Sequence, residues 1–190
     1  MAEGTRVRSA PPTLGGEGEE VRRRAMLLLA AMAVALVAAS GVAWAEPIQC
    51  TGGGPDGWCP GTEEPDVING TDNRDAVWAF GGHDAVDGGG GDDVLDGDEG
   101  NDAVTGGPGQ DDLYGKPGDD RLSGEAGPDV ILARENEGTG IDSVSGVRGH
   151  DYVDARDGQV DFIACGRGTD AVYFDAWIDH VSPDCEVISS

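Results

Sequence analysis

Aspartate recurs at every ninth residue through the middle of the chain. An aliphatic residue stands two positions after each of these aspartates, and a glycine stands two positions before most of them. A fixed short period indicates a solenoid, in which each repeat adds one unit to a stack. The strict series is Asp66, Asp75, Asp84, Asp93, Asp102, Asp111, Asp120 and Asp129, and it resumes at Asp142, Asp151, Asp161, Asp170 and Asp179.

Each nine-residue unit combines a turn with a very short strand. In the unit from Gly88 to Asp96, the first six residues favour turns and the last three alternate outward, inward and outward. Two units per coil would stack the inward aliphatic side chains into a thin continuous core. The sequence therefore predicts an all-β parallel solenoid, with aspartates on two edges: Asp84, Asp102 and Asp120 on one, and Asp75, Asp93, Asp111 and Asp129 on the other.

The charge of the chain excludes several classes of partner. The 190 residues include 37 acidic and 12 basic side chains, a net charge of −25, and only 5% are aromatic. Such a chain does not attract nucleic acid or an anionic membrane surface. Composition alone is typical of disorder, but a disordered chain would not keep an aliphatic residue at a fixed position after every repeat aspartate.

The stacked carboxylates predict a cation site. Aspartates one coil apart would lie about 4.8 Å from each other, and carboxylates that close repel unless a cation lies between them. Carboxylate and backbone carbonyl oxygens are the ligands that Ca²⁺ prefers. The three histidines, His83, His150 and His180, stand singly, which disfavours a histidine-based metal site.

The pattern Gly-Gly-x-Gly-x-Asp-x-aliphatic-x resembles the RTX, or hemolysin-type, calcium-binding nonapeptide repeat over roughly residues 61–182. The resemblance implies a right-handed parallel β-roll, with calcium held between loops one coil apart. It implies ligation by the loop aspartates and by carbonyls of the glycine turns, with roughly four to six ions. The ligands predicted in this way are Asp75, Asp84, Asp93, Asp102, Asp111, Asp120, Asp129, Asp151 and Asp170.

Two parts of the series depart from the pattern. The loops before Asp66 and Asp75 lack the glycine two positions upstream of the aspartate, so they are expected to form capping coils with weak or absent sites. An insertion around residues 133–137 interrupts the register, and sites that span it are expected to be impaired.

The four cysteines lie at the two ends of the repeats. Cys50 and Cys59 precede the regular units, and Cys165 and Cys185 fall in the last coils. Four cysteines allow three pairings, and proximity in sequence favours Cys50–Cys59 and Cys165–Cys185. A metal cluster is the alternative, although the chain has no Cys-x-x-Cys motif. Aromatic residues between 173 and 178 are expected to cover the apolar C-terminal end of the solenoid.

The amino terminus resembles a secretory signal. Three arginines at 22–24 precede an uncharged apolar run from Met26 to Ala39, and Ala43-Trp44-Ala45 is a small-x-small cleavage pattern. We expect cleavage after Ala45. An uncleaved anchor is the alternative, but the run is short for a span. The acidic, glycine-rich residues 1–20 are atypical of a signal, so translation is expected to start near Val21.

These observations divide the chain into five segments. They are a signal peptide at 1–45, an N-terminal cysteine cap at 46–60, a regular nonapeptide roll at 61–132, irregular repeats at 133–164, and C-terminal repeats with a cap at 165–190.

The expected function is a secreted, bacterial, calcium-binding protein that folds around its ions. The sequence contains no His-Glu-x-x-His or Gly-x-Ser-x-Gly motif, and we predict that the protein is not an enzyme. Two other roles remain open: a calcium-dependent adhesin or matrix protein with a cell-surface or glycan partner, and an accessory module of a secreted enzyme or toxin. The mature chain is expected to be monomeric and not inserted in a membrane.

Overall fold

The structure, a computed structural model, describes residues 47–50, 57–134 and 140–189. The predicted signal peptide and start site lie outside these residues. Within them the chain forms strands and turns and no helix, so none of this part has a helix that could span a membrane.

Short strands separated by glycine-rich turns make up the described chain. In order they are β1 (Ile48–Gln49), β2 (Trp58–Thr62), β3 (Val67–Thr71), β4 (Ala76–Gly82), β5 (Ala85–Gly89), β6 (Val94–Asp96), β7 (Glu99–Gly100), β8 (Ala103–Pro108), β9 (Asp112–Tyr114), β10 (Arg121–Ala126), β11 (Val130–Leu132), β12 (Ser143–Gly149), β13 (Tyr152–Ala155), β14 (Phe162–Ala164), β15 (Arg167–Gly168), β16 (Ala171–Phe174), β17 (His180–Val181) and β18 (Val187–Ser189).

Successive units alternate between two parallel sheets. The first sheet runs β1-β3-β5-β8-β10-β12-β14-β17, with β15 beside β12, and the second runs β2-β4-β6-β9-β11-β13-β16-β18, with β7 beside β4. The chain therefore winds as a β-solenoid of about seven turns. The predicted all-β parallel roll is confirmed.

The core consists of two columns of aliphatic side chains, one from each sheet. In the second sheet Leu95 pairs with Val77 and Leu113, and Leu113 pairs with Ile131. These side chains are fully buried because each points into the thin space between the sheets. One aliphatic side chain per nine residues is little apolar burial to offset the backbone entropy of ordering the unit.

The insertion near residue 135 leaves the stacking register intact. Arg121 pairs with Ser143 on one side of the roll and Val130 pairs with Tyr152 on the other, a step of 22 residues instead of 18. Residues 135–139 lie outside the described part. The aligned strands on both sides show that the insertion lengthens one coil without shifting the repeat positions that follow it.

Disulfides lie near both ends of the roll. The structure forms both favoured pairs, Cys50–Cys59 and Cys165–Cys185, and three of these cysteines are buried in the core. The expectation that aromatic residues cover the C-terminal end is only partly correct. Phe174 packs against the core, but Trp177, in a turn, is fully exposed.

The second residue of most units adopts a left-handed backbone conformation. We number the positions of each unit one to nine, with the repeat aspartate at six. Position two has a positive φ at glycines such as Gly107, but also at Phe80, Lys116 and Val147. The φ of +72° at Val147 is unfavourable because a β-branched side chain crowds the backbone there.

Replacing Val147 with glycine should stabilise the roll. Relief of strain worth about 1–3 kcal/mol exceeds the added backbone entropy cost of glycine, about 0.5–1 kcal/mol. We expect the free energy of unfolding in urea, measured with saturating calcium, to rise by about 1 kcal/mol. Ser145→Gly, on the same strand at ordinary φ, should lower it. A lower free energy for Val147→Gly would contradict the strain assignment.

Candidate metal centre

The repeat aspartates form two columns, one along each edge of the roll where a turn meets a strand. All of them except Asp179, which is half-buried, are almost completely buried although they lie in loops. The first column contains Asp66, Asp84, Asp102, Asp120, Asp142, Asp161 and Asp179, and the second contains Asp75, Asp93, Asp111, Asp129, Asp151 and Asp170.

From Asp84 onward, one carboxylate oxygen of each column aspartate holds adjacent coils together. Oδ1 of Asp102 accepts a hydrogen bond from the backbone N–H of Asp84, at 2.8 Å. Oδ1 of Asp111 accepts one in the same way from the N–H of Asp93, at 2.9 Å. The bond persists across the insertion, where Asp151 Oδ1 lies 3.0 Å from the Asp129 nitrogen. The aspartates on the two sides of the insertion therefore stay aligned, and impaired metal binding there remains a prediction.

The other carboxylate oxygen is buried without a hydrogen-bond partner in many loops. A buried carboxylate oxygen that lacks a donor is costly, because it has lost its hydration without compensation. A cation would supply the missing interaction. The Oδ2 atoms with this property in the two columns belong to Asp84, Asp93, Asp102, Asp111, Asp129, Asp151, Asp161 and Asp170.

The electrostatics of the columns favour neutralisation. Burial raises the pKa of Asp93 to about 7, against the lowering effect of the hydrogen bond from Asp75, and nearby carboxylates raise it further. Burial likewise raises the pKa of Asp129 to about 7 and that of Asp102 to about 6. Binding of a proton or of a metal ion would lower the energetic cost of these buried negative charges.

Glycine at position one leaves the unpartnered oxygen accessible within its loop. A Cβ built on Gly88 would lie 2.6 Å from Asp93 Oδ2 and 2.7 Å from the carbonyl oxygen of Gly106 in the next coil. A Cβ on Gly106 would lie 2.5 Å from Asp111 Oδ2. Any larger residue would therefore press on the carboxylate and on a carbonyl that faces it. The glycines bring two hard oxygen ligands together.

Side chains alone do not complete a metal site here. Across residues 47–50, 57–134 and 140–189, no three His, Cys, Asp or Glu side chains converge to metal-binding distance. A cation at these loops would need backbone carbonyls in addition to the aspartates. Calcium accepts carbonyl ligands in irregular geometry, so the donor set fits Ca²⁺ better than Mg²⁺ or Zn²⁺.

The predicted ligands occupy equivalent positions in the columns, with one exception. Asp75 lies in its column, but its Oδ2 accepts hydrogen bonds from Thr71, and its Oδ1 is the atom without a partner. The other predicted ligands follow the common arrangement: Asp84, Asp93, Asp102, Asp111, Asp120, Asp129, Asp151 and Asp170.

The ligand prediction missed Asp161. Its Oδ1 accepts the N–H of Asp142 at 2.8 Å, its Oδ2 is buried without a hydrogen-bond partner, and burial raises its pKa to about 7. The aspartate series contains this residue, but glutamine stands two positions before it instead of glycine. Glu186, which has no place in the repeat, accepts the N–H of Asp170 and ends the second column.

Buried aspartates outside the columns have basic partners from the chain itself. Lys116 Nζ lies 2.7 Å from Asp96 Oδ2. Arg156 donates two hydrogen bonds to Asp154, and although burial opposes ionisation there, these bonds lower the pKa of Asp154. The chain thus provides its own cation for these buried aspartates on the sheet face.

The histidines are exposed and none joins a metal-binding group among the described residues. His83 and His150 each accept a backbone N–H from the following coil through Nδ1, at 2.8 and 3.0 Å. They therefore have a stacking role at position five of the loop.

The repeat geometry has a counterpart in a known family. The model of the RTX calcium-binding nonapeptide repeat (4 copies) matches residues 60–95, 78–113 and 96–131. Residues 60–131 are therefore similar to the RTX calcium-binding nonapeptide repeat. The aspartate columns continue beyond the matched RTX region, as far as Asp179. No curated protein and no solved structure shows a significant match to the chain.

Acid should partly replace the metal in stabilising the RTX roll. A carboxyl group with a raised folded-state pKa stabilises the folded state fully below its ordinary pKa of 3.8, and this contribution is lost as pH rises through about 7 at Asp93 and Asp129. Metal-free protein should therefore gain β-sheet circular dichroism between pH 7.5 and 5. Calcium affinity should fall over the same range, because protons compete for the carboxylates.

The control isolates the buried carboxyl groups from the general loss of charge. Asp93→Asn removes one titrating group from the column and should flatten the pH dependence of metal-free stability between pH 5 and 7.5. Glu99→Gln, at an exposed carboxylate, should leave it unchanged. Equal pH dependence in the two variants would refute the assignment.

Proposed function

We propose that this protein binds several calcium ions between adjacent loops of the roll and folds as it does so. The observation that carries the proposal is the set of buried Oδ2 atoms without a hydrogen-bond partner, repeated coil after coil. The RTX class of residues 60–131 supports calcium as the ion. The ligands proposed here are Asp84, Asp93, Asp102, Asp111, Asp120, Asp129, Asp151 and Asp170, with Asp161 added.

Each repeat aspartate has two tasks in this mechanism. Oδ1 fixes the spacing of two coils through a backbone N–H, and Oδ2 offers negative charge to the loop interior. Glycine carbonyls from the adjacent coil, such as that of Gly106, face the same space. Bound calcium would supply the positive charge that these oxygens lack. Its binding free energy then becomes folding free energy, because the ligands come together only in the stacked roll.

The metal-free chain should be expanded near neutral pH. The excess of acidic side chains repels, and the apolar core is thin. Adding calcium in the millimolar range should produce β-sheet circular dichroism and a smaller hydrodynamic radius, and the same concentration of magnesium should not. A compact, fully folded protein in the absence of calcium at pH 7.5 would reject coupled folding.

Adjacent aspartates provide a matched control for the ligands. Asp93 is buried in its column, whereas Asp92 is exposed and accepts the N–H of Gln110 through Oδ1. Asp93→Asn keeps an oxygen for the coil-stacking hydrogen bond and removes the charge, so calcium stoichiometry should fall. Asp92→Asn makes the same chemical change and should leave stoichiometry unaltered.

The calcium proposal extends to location and role. The signal-like segment ending at Ala45 and the two disulfides support export to the outside of a bacterial cell, where calcium is available. A monomeric structural role without catalysis is the simplest form of the proposal. An adhesin with a cell-surface or glycan partner, or an accessory module, would use the same calcium-dependent folding.

Export should yield a mature chain that begins at Glu46. Expression of the full sequence in a bacterial host, followed by mass spectrometry of the exported protein, should detect this N-terminus with both disulfides intact. Ala43→Arg with Ala45→Arg should block processing, because signal peptidases require small residues at these positions. A cell-retained protein that keeps residues 22–45 would contradict the export proposal.

A further inference from the structure

The loops that end at Asp66 and Asp75 differ from those that follow. The backbone N–H of Thr62 donates to Asp66 Oδ2 at 2.7 Å, and the Thr62 hydroxyl donates to the same oxygen at 2.9 Å. Thr71 contacts Asp75 Oδ2 with the same two groups at the same two distances. The oxygen that lacks a hydrogen-bond partner in the later loops is therefore satisfied twice in each of the first two.

A change in backbone conformation accompanies these bonds. Position two is left-handed in most of the later loops, including those with Phe80 and Gly89, but Thr62 and Thr71 have ordinary negative φ. At Gly89 the N–H bonds Asp87 Oδ1, at 3.1 Å, and not the repeat aspartate. The threonine conformation instead turns the N–H onto the loop carboxylate.

The threonine hydroxyl is oriented by its own loop. Its oxygen accepts the N–H of the residue at position four, Glu64 at 3.2 Å in the first loop and Asn73 at 3.1 Å in the second. The hydroxyl hydrogen could reach the carbonyl oxygen of that residue, but only at 3.3 or 3.4 Å. The shorter, charge-assisted bond to the aspartate is the stronger one.

We propose that Thr62 and Thr71 close the first two loops in place of a metal ion, so that calcium binding along the roll begins at Asp84. This inference rests on the proposed calcium function and specifies which loops perform it. Two hydrogen-bond donors on Oδ2 replace the interaction that a cation would make with that oxygen in the later loops. At Asp75 the buried Oδ1 still has no hydrogen-bond partner. Threonine at position two thus distinguishes the first two loops from the loops that are proposed to take calcium.

The loops that end at Asp66 and Asp75 also supply backbone hydrogen-bond donors to the first loops that are proposed to bind calcium. The N–H of Asp66 donates to Asp84 Oδ1 at 2.8 Å, and the N–H of Asp75 donates to Asp93 Oδ1 at 2.7 Å. A first coil that is ordered without metal presents these donors before any ion binds. The Cys50–Cys59 disulfide stabilises the same end of the roll.

Calcium stoichiometry of the full chain, measured by equilibrium dialysis, tests the assignment with paired variants. Asp66→Asn with Asp75→Asn should leave the number of bound ions unchanged. Asp84→Asn with Asp93→Asn makes the same change one coil further along both columns and should reduce it. Equal losses in the two double variants would overturn the inference. Absence of calcium binding in the unmodified chain would instead reject the proposed function.

Hydrogen exchange without calcium tests the threonines independently of metal. Backbone amides of β2, β3 and β4 should be protected in the metal-free protein at pH 7.5, and those of β8 and β10 should not. Thr62→Val with Thr71→Val removes one charge-assisted bond per loop and should reduce that protection about tenfold or more. Thr62→Ser with Thr71→Ser should restore it. No protection in the unmodified chain, or no effect of valine, would overturn the inference.

Discussion

The hydrogen bond between an aspartate carboxylate and the backbone N–H of the aspartate one coil away organises this molecule. It sets the spacing of the coils, buries the carboxylate, and leaves the second oxygen facing the loop interior. Burial then raises the pKa of residues such as Asp93 and Asp129. The same contact that stacks the coils therefore leaves a buried carboxylate oxygen that needs a proton, a hydrogen-bond donor or a cation as its partner.

Buried carboxylates have different kinds of partner along the length of the chain. Near its N-terminal end, Thr62 and Thr71 provide donors. On the sheet face, Lys116 and Arg156 neutralise buried aspartates outside the columns. In the loops of Asp93, Asp102, Asp111 and Asp129, glycine stands at position one and Oδ2 has no hydrogen-bond partner, and there the proposed ion would supply the positive charge. Under the proposed function, the stability of the middle of the roll depends on solution calcium, because its aliphatic core is narrow.

Sequence periodicity predicted most of the architecture because the nine-residue period determines which residues point inward and which lie at the edges of each coil. The spacing of aspartate and aliphatic residues specified two units per coil, the inward column that includes Leu95 and Leu113, and the two aspartate edges. Proximity in sequence also predicted both disulfides. The strict glycine pattern was a poorer guide to single sites, because Asp161 has the same contacts as its neighbours without glycine two positions before it.

The sequence by itself determined the repeat, the charge and the chemistry of the ligands, since these follow from residue type at fixed spacing. Only the tertiary structure decided what each carboxylate oxygen contacts. In the first two loops, Oδ2 accepts hydrogen bonds where position two has an ordinary φ and a threonine hydroxyl points at the carboxylate. The alignment across residues 135–139 likewise depended on pairing between distant strands, where Asp129 and Asp151 meet despite four inserted residues. These are contacts between coils, and a linear pattern does not encode them.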